Sequence, residues 1–289
     1  MNFVERVDET IEQGGARGVL ESTDTRVERI TDAGVDFIVR IVEALERKEE
    51  EAGEQQEADE PVDPFMPPYE EGLFVEELSE THVCVLNKFP VLDRHLLIVT
   101  RDFEEQRERL NRRDFAALSK CLNRMEGLGF YNGGGVAGAS QEHKHLQLVG
   151  FPLAEGVDGV PIASVTGEGE PAVGEVSRVA GLAFEHRLWG LSETESAGSG
   201  LAAGAPELLE GYRAMLESAG LGATSPVEPY NLLVTRRWMM LVPRRRERWQ
   251  GISVNALGYA GALLARDEEE REVIGQAGPM RILQALAGP

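Results

Sequence analysis

Phe130 to Gly150 reads FYNGGGVAGASQEHKHLQLVG, and two features of this stretch decide how the rest of the 289-residue chain is read. The first is His143-Lys144-His145-Leu146-Gln147, which opens a segment, His143 to Phe151 (HKHLQLVGF), whose alternation predicts a strand. Side chains two apart share one face of a strand, so His143, His145 and Gln147 point one way and Lys144, Leu146 and Leu148 the other. Val149 continues the histidine face, which places a polar cluster at one end of a strand that runs into core. The second feature is the glycine-rich run Asn132 to Ser140. Glycines permit turns in which consecutive backbone N–H groups converge, a nest that binds an anion without any positive side chain. Ser140 and Gln141 add side-chain donors at its exit.

Together the two features point to phosphoryl or nucleotidyl transfer through a covalent histidine. A neutral imidazole is nucleophilic near pH 7 once its other nitrogen donates a hydrogen bond that fixes the tautomer. A phosphorus atom held by backbone donors then needs in-line positioning and charge stabilisation. A His-x-His pair alone also fits a metal-ligand pair or plain surface. The other histidines, His82, His95 and His186, are scattered, and no Asp or Glu shares the strand face, so a complete metal-ligand set is not visible.

Upstream, Thr81 to Leu86 (THVCVL) and His95 to Thr100 (HLLIVT), separated by Asn87, Pro90 and Asp93, read as paired strands. Asn111 to Met125 spaces Phe115, Leu118, Cys121 and Leu122 as a helix does. Downstream, Leu153 to Ala180 and Ser192 to Ala205 read as long loops around a strand from Leu182 to Leu191, followed by an amphipathic helix from Pro206 to Ala219. Tyr230 to Val234 and Trp238 to Val242 form a strand pair, and helices are expected from Ser253 to Leu264 and from Pro279 to Leu286. No internal repeat is evident. The fold class is α+β, with mainly antiparallel sheet flanked by helices.

Lys and Arg number 29 against 50 Asp and Glu, a net charge of −21, which excludes a general nucleic-acid binder because counterion release needs a basic surface. Seven of the acidic residues fall between Glu49 and Glu60 (EEEAGEQQEADE), a run without apolar periodicity that reads as a solvated loop. Pro61, Pro64, Pro67 and Pro68 mark an extended exit from it. Two cysteines are too few for a disulfide framework, the first residues do not pair a basic region with an apolar one, and no run approaches the roughly 18 to 20 apolar residues of a membrane span. The expectation is a cytoplasmic protein that contacts neither membrane nor nucleic acid.

With these residues in view, Asp63 to Pro152 closely resembles the ATP adenylyltransferases, or diadenosine tetraphosphate phosphorylases, of the histidine-triad and galactose-1-phosphate uridylyltransferase superfamily. The resemblance is carried by DPFMPPYEEGLFV, LNKFPVLDRHLLIVT, FYNGGGVAGASQ and EHKHLQ, and by PYNLLVTRRWMMLVPRRRE and GISVNALGYAG toward the C-terminus. It implies a histidine-triad-like fold, with residues 1–152 as an N-terminal catalytic part and 153–289 as a C-terminal part completing the same compact unit. It also implies reversible phosphorolysis of diadenosine tetraphosphate to ATP and ADP, with His145 as the nucleophile that becomes adenylylated. His143 would orient the site by hydrogen bonding. Gln147, standing where hydrolytic members carry a third histidine, favours transfer to phosphate over hydrolysis.

The same matching places Asn132, Gly138, Ser140 and Gln141 around the phosphates and Asn87, Lys88 and Lys48 near the nucleotide. Asn231, Thr235, Met240 and Arg244 match contacts to the second nucleotide or the tetraphosphate, and the nearby Arg236, Arg237, Arg245, Arg246 and Arg248 offer local positive charge. Asn87 also fits a simple turn residue, Asn231 a strand-end cap and Met240 core. Partners are then small nucleotides and phosphate, with a monomer or homodimer. No tightly bound cofactor or protein-held metal is implied, and magnesium accompanies the nucleotide. Two departures stand out: Arg94 precedes His95, and Glu142 puts a carboxylate beside the nucleophile. A sulfate adenylyltransferase forming ADP, a sugar-1-phosphate nucleotidyltransferase, a dinucleoside polyphosphate hydrolase and a nucleotide binder without turnover are the competing readings.

Overall fold

The computed structural model describes residues 1–21, 25–42, 63–166, 171–192, 204–224 and 226–288. Lys48, the acidic run and Pro61 lie outside the described residues. Helix α1 (Phe3–Arg17) is followed by the hairpin β1 (Thr25–Asp32) and β2 (Val35–Val42), then by β3 (Phe74–Glu77), β4 (His82–Leu86) and β5 (Leu96–Thr100). Helix α2 (Arg112–Arg124) leads to β6 (Gly127–Asn132), a single 3-10 turn at Gly135–Ala137, and β7 (His145–Gly150). Next come the short α3 (Ala163–Thr166), β8 (Val176–Ser177), β9 (Arg187–Gly190), α4 (Ala205–Ser218), β10 (Tyr230–Val234) and β11 (Trp238–Pro243). A small pair, β12 (Arg248–Trp249) and β13 (Ile252–Ser253), precedes α5 (Ala256–Tyr259), β14 (Ala262–Ala265), α6 (Glu268–Ala277) and α7 (Pro279–Leu286).

Nine strands pair antiparallel in the order β3-β4-β5-β7-β6-β10-β11-β9-β8, and a second sheet runs β1-β2-β14 with β14 parallel to β2. Strands from both halves of the chain meet where β6 pairs with β10. The alternation in HLQLVG sorts the two faces of the large sheet. Leu146 and Leu148 enter a continuous apolar layer with Leu96, Ile98 and Cys84, covered by Phe115 and Leu118 of α2 and by Tyr212 and Met215 of α4. Helix α2 begins where it does because Asn111 and Asp114 form a capping box, each side chain accepting from the other's backbone N–H.

The opposite face is not continuous. One apolar cluster gathers Phe65, Val83, Val85, Leu97 and Val99. Another holds Phe130, Leu233, Met240 and Val149 against Leu257, Tyr259 and Leu263 from the C-terminal segment. Polar side chains of β7 and the end of β6 fill the interval between them, so the gap is built by sequence: His145 and Gln147 stand where Leu or Val would have closed the core.

Several expected elements are shorter or different. The helix foreseen from Ser253 to Leu264 is only α5, because Gly261 takes φ +94° and the chain then extends as β14 beside β2. A Cβ at Gly261 would lie 2.6 Å from Pro161, so no other residue fits this reversal. The strand foreseen from Leu182 to Leu191 contracts to β9, since His186 ties residues 179–184 into a turn. The long loop from Leu153 to Ala180 contains α3 and β8.

Candidate active site

At the start of β7 the Nδ1 atom of His145 lies 2.8 Å from the carbonyl oxygen of His143. A carbonyl can only accept, so Nδ1 carries the proton, and in the neutral ring the lone pair sits on Nε2. His143 itself is not on the strand and does not share the cleft with His145. The chain leaves the ladder before His145, with His143 bridging to Glu105 and the Lys144 N–H donating to the Glu104 carbonyl. The His143 ring is buried, with Nε2 at 2.8 Å from the Thr100 carbonyl and Nδ1 at 2.7 Å from an Asp63 carboxylate oxygen. The other oxygen of that carboxylate accepts from the Phe65 N–H at 2.9 Å. Asp63 thereby sets Phe65 over both imidazoles, with ring centroids 5.0 Å from His145 and 5.9 Å from His143.

Asn87, Lys88, Asn132, Gly138, Ser140, Gln141, His145 and Gln147 line one cleft, closed on its apolar side by Phe65, Leu97, Val91 and Leu257. A directional chain runs along its wall. The Phe89 N–H donates to Asn87 Oδ1 at 3.0 Å, which turns Asn87 Nδ2 toward His95 Nδ1 at 3.3 Å. His95 Nε2 then donates to Gln147 Oε1 at 2.8 Å. With its oxygen so occupied, Gln147 has only its amide NH2 to offer a phosphoryl oxygen. Asn87 is therefore more than a turn residue: its two ends are both committed. Lys88 is the cation among the lining residues, at the rim and 3.6 Å from Glu70.

The glycine run is not an open row of donors. The N–H groups of Gly133, Gly134, Ala137, Gly138 and Ala139 bond within the loop or to β10, forming a 3-10 turn that supports the cleft from behind. Two of its glycines are sterically required. Gly138, at φ +89°, would put a Cβ 2.8 Å from Asn255, and Gly134, at φ +91°, would put one 2.7 Å from Arg107. Ser140 and Gln141, at the loop exit, face the cleft.

The C-terminal candidates separate from this group. Asn231 is fully buried behind the loop, where its Nδ2 donates at 2.8 Å to both Asn132 Oδ1 and the Ala137 carbonyl. Arg244 donates to Asn231 Oδ1 at 2.5 Å and to the Arg246 carbonyl at 2.7 Å, with its guanidinium 5.1 Å from the centre of the Tyr259 ring. Burial lowers the pKa of Arg244 from the ordinary guanidinium value and pushes that of Tyr259 up to about 12. Thr235 caps the β10–β11 turn, accepting from the N–H groups of Arg237 and Trp238 at 3.1 Å. Met240 is core, in a cross-strand row with Leu233 and Leu188. None of the basic cluster from Arg236 to Arg248 lines the cleft; Arg236 and Arg245, for instance, cap the Leu122 and Ala287 carbonyls. Glu142 is exposed and outside the cleft, while Arg94 reaches Asp8 at 2.7 and 2.9 Å, away from the nucleophile.

His95, Asp63, Phe65, Gln106 and Asn255 belong to the site or its walls and were not singled out by sequence reasoning. His95 was visible as one of five histidines, and Asp63 and Phe65 lie inside a motif that carries the resemblance. Gln106, within EEQRER, gives no local signal. Among the described residues, no three His, Cys, Asp or Glu side chains group as metal ligands, and no helix is long and apolar enough to cross a membrane.

Comparison with known proteins supplies the family. Residues 1–168 match the Ap4A phosphorylase N-terminal domain and residues 180–289 the ATP adenylyltransferase C-terminal domain. Diadenosine 5',5'''-P1,P4-tetraphosphate phosphorylase 2 of Saccharomyces cerevisiae is 28% identical over 233 residues, 73% of this chain and 70% of the relative. Protein APA1 of the same yeast is 26% identical over 264 residues, 81% of this chain and 76% of that protein. The crystal structure of yeast Ap4A phosphorylase Apa2 in complex with Ap4A has the same fold, with a TM-score of 0.81 and 23% identity across 100% of this chain and 98% of that one. The N-terminal match alone spans more than half of the sequence, and the chain accordingly belongs to the Ap4A phosphorylase family.

Proposed function

We propose that this protein is a nucleotidyltransferase that cleaves diadenosine tetraphosphate with phosphate to give ATP and ADP. His145 Nε2 attacks the α-phosphorus of one adenosine, the bond to the bridging oxygen breaks, and ATP leaves. A phosphate oxygen then attacks the adenylyl-histidine, returning the electron pair to Nε2 and releasing ADP. The observation that carries this reading is the Nδ1 contact from His145 to the His143 carbonyl, which sets the nucleophilic tautomer in the cleft that also holds Gln147, Ser140 and Gln141. Gln147, its oxygen held by His95, donates to the phosphoryl group as charge develops there.

Lys88, Asn132 and Gly138 act on the nucleotide from the same cleft and Asn87 acts by holding His95, whereas Asn231 and Arg244 act by bracing Asn132 and the loop. Magnesium arrives with the polyphosphate as part of the substrate and screens its charge. One yeast relative is named as a phosphorylase of the same substrate, which supports phosphate as the acceptor, and the matched C-terminal domain is named for adenylyl transfer, which supports the group transferred. The protein works as a soluble cytoplasmic enzyme on small nucleotides.

The test is incubation with labelled diadenosine tetraphosphate, with and without phosphate, and mass spectrometry of the protein after rapid quenching. Phosphate-dependent ATP and ADP, with an adenylyl group on His145, are expected. AMP and ATP formed irrespective of phosphate would replace the reading with a hydrolase. Faster turnover with sulfate or a sugar phosphate would move the acceptor.

A further inference from the structure

The ladder between β6 and β7 ends early. Pairing runs from Gly127 with Gly150 to Phe130 with Gln147, and the same register extended by two residues would set Asn132 opposite His145. Instead, the side-chain amide of Gln106 sits between them. Its Oε1 accepts the His145 N–H at 2.8 Å, and its Nε2 donates to the Asn132 carbonyl at 2.9 Å and the His145 carbonyl at 3.2 Å. An antiparallel ladder exchanges N–H and C=O groups directly. Here one amide replaces that exchange, spreading the strands where the nucleophile and the glycine loop begin.

Gln106 is itself held firmly. Its N–H donates to the Glu142 carbonyl at 2.6 Å, its carbonyl accepts from the Tyr131 hydroxyl, and its side chain is buried. One turn away, the buried Lys144 ammonium ion-pairs with Glu104, 3.7 Å from Glu108 and 3.8 Å from Asp114, which fastens the Glu104 to Glu108 strap to the strand and to α2. The amide cannot swing out without breaking bonds on three sides.

We infer that Gln106 is a positioning residue: it wedges β6 from β7 and thereby sets the separation of His145 from the loop that starts at Asn132 and brings Ser140 and Gln141 to the cleft. The inference rests on the proposed adenylyl transfer and adds to it a residue that touches no substrate. Nucleophile and phosphorus must meet in a narrow range of distance and angle, and a misplacement near 1 Å costs about 100-fold. Loss of the wedge lets the two strands zip together or removes the partner of three backbone groups, and either moves His145 relative to the loop.

The experiment compares Gln106→Ala, Gln106→Glu and wild type for kcat, KM, the single-turnover rate of His145 adenylylation and thermal unfolding. Gln106→Glu keeps the shape and the acceptor but loses both donations, so it reports even where the alanine variant does not fold. Expected for each folded variant is a fall of about 100-fold in kcat and in adenylylation rate, with KM changed less than about threefold. An unchanged kcat in Gln106→Glu, or a loss carried by KM alone, overturns the inference. Wild-type enzyme that forms no adenylyl-histidine overturns the proposed function instead, and the two failures are separable because the wild type is measured first.

Discussion

Two histidines in this molecule are held by one local device. His145 donates from Nδ1 to the carbonyl two residues back, His143, at 2.8 Å, and His186 does the same to Phe184 at 2.9 Å. Their surroundings then diverge. His186 lies in the turn before β9 with no exposed surface, its Nε2 accepting the Val179 N–H at 2.8 Å and its ring edge against Phe184. His145 opens β7 in a cleft lined by Gln147, Asn132 and Ser140, between two apolar clusters that do not meet. The pin selects a tautomer in both places. What the second nitrogen faces decides whether that tautomer serves folding or chemistry.

The largest effect that this contrast predicts is on turnover. His145→Ala should lower phosphorolysis by about 10⁴-fold or more, as loss of a covalent nucleophile does, with the melting temperature little changed because the ring borders a cleft. His186→Ala should do the reverse, leaving kcat within about threefold while lowering stability by about 2 kcal/mol through lost packing and two unpaired backbone groups. Steady-state kinetics and chemical denaturation of both variants check the pair. Comparable loss of kcat in the His186 variant would erase the distinction.

A smaller effect tests what the cleft adds to the pin. His95 is also buried with both nitrogens in use, and its Nε2 is what commits the Gln147 oxygen. His95→Ala frees the Gln147 amide to flip, so it presents oxygen rather than NH2 to the phosphoryl group for part of the time. A fall in kcat of roughly tenfold to 100-fold follows, below the cost of deleting a dedicated transition-state donor. Gln147→Glu, which presents oxygen always, should lie below His95→Ala, and the two should not add in the double variant. Additive losses would mean that His95 acts other than through Gln147.

The legibility of these features in the sequence follows the range of the forces that make them. Strands β10 and β11, helix α2 and helix α7 were readable because short apolar runs around the Thr235-Arg236-Arg237 turn, the helical spacing of Phe115, Leu118 and Leu122 and a Pro279 start are local signals. Helix α1 and the β1–β2 hairpin went unread although Asn2 and the Ala33-Gly34 turn, at φ +50° and +80°, mark them. The His145, Gln147, Asn132, Ser140 cluster was also legible, since its members lie within sixteen residues. Asn231 and Arg244 read as nucleotide contacts by their motif and not as braces, because the 2.8 Å contact from Asn231 to Asn132 spans 99 positions of chain. Met240 and Thr235 were drawn into the site by their motif. The register that puts Met240 in the row of Gln147, Phe130 and Leu233 exists only once the strands are paired. His186 gave no hint at all, because Val179 and Phe184 become its partners only when the turn closes.

The smallest effect returns to that turn and depends on pH. Burial lowers the pKa of His186 below the ordinary 6.5, and protonation at Nε2 also expels the Val179 N–H. In the unfolded chain the residue titrates near its ordinary value, so as pH falls through 6.5 the unfolded state takes up a proton that the folded state refuses. The unfolded state then binds more protons, and stability rises with pH across this window and falls on acidification. His186→Gln removes the titration. At pH 8 it should cost about 1 kcal/mol for the altered contacts. Below pH 6.5 the wild type loses stability that the variant keeps, so the gap between them narrows as the pH is lowered. Denaturant midpoints of both proteins measured from pH 8 down to pH 5 give that gap directly. If it stays constant, the ring takes up its proton alike in the folded and the unfolded chain, and the buried pin that His186 shares with His145 would not discriminate against the charged ring.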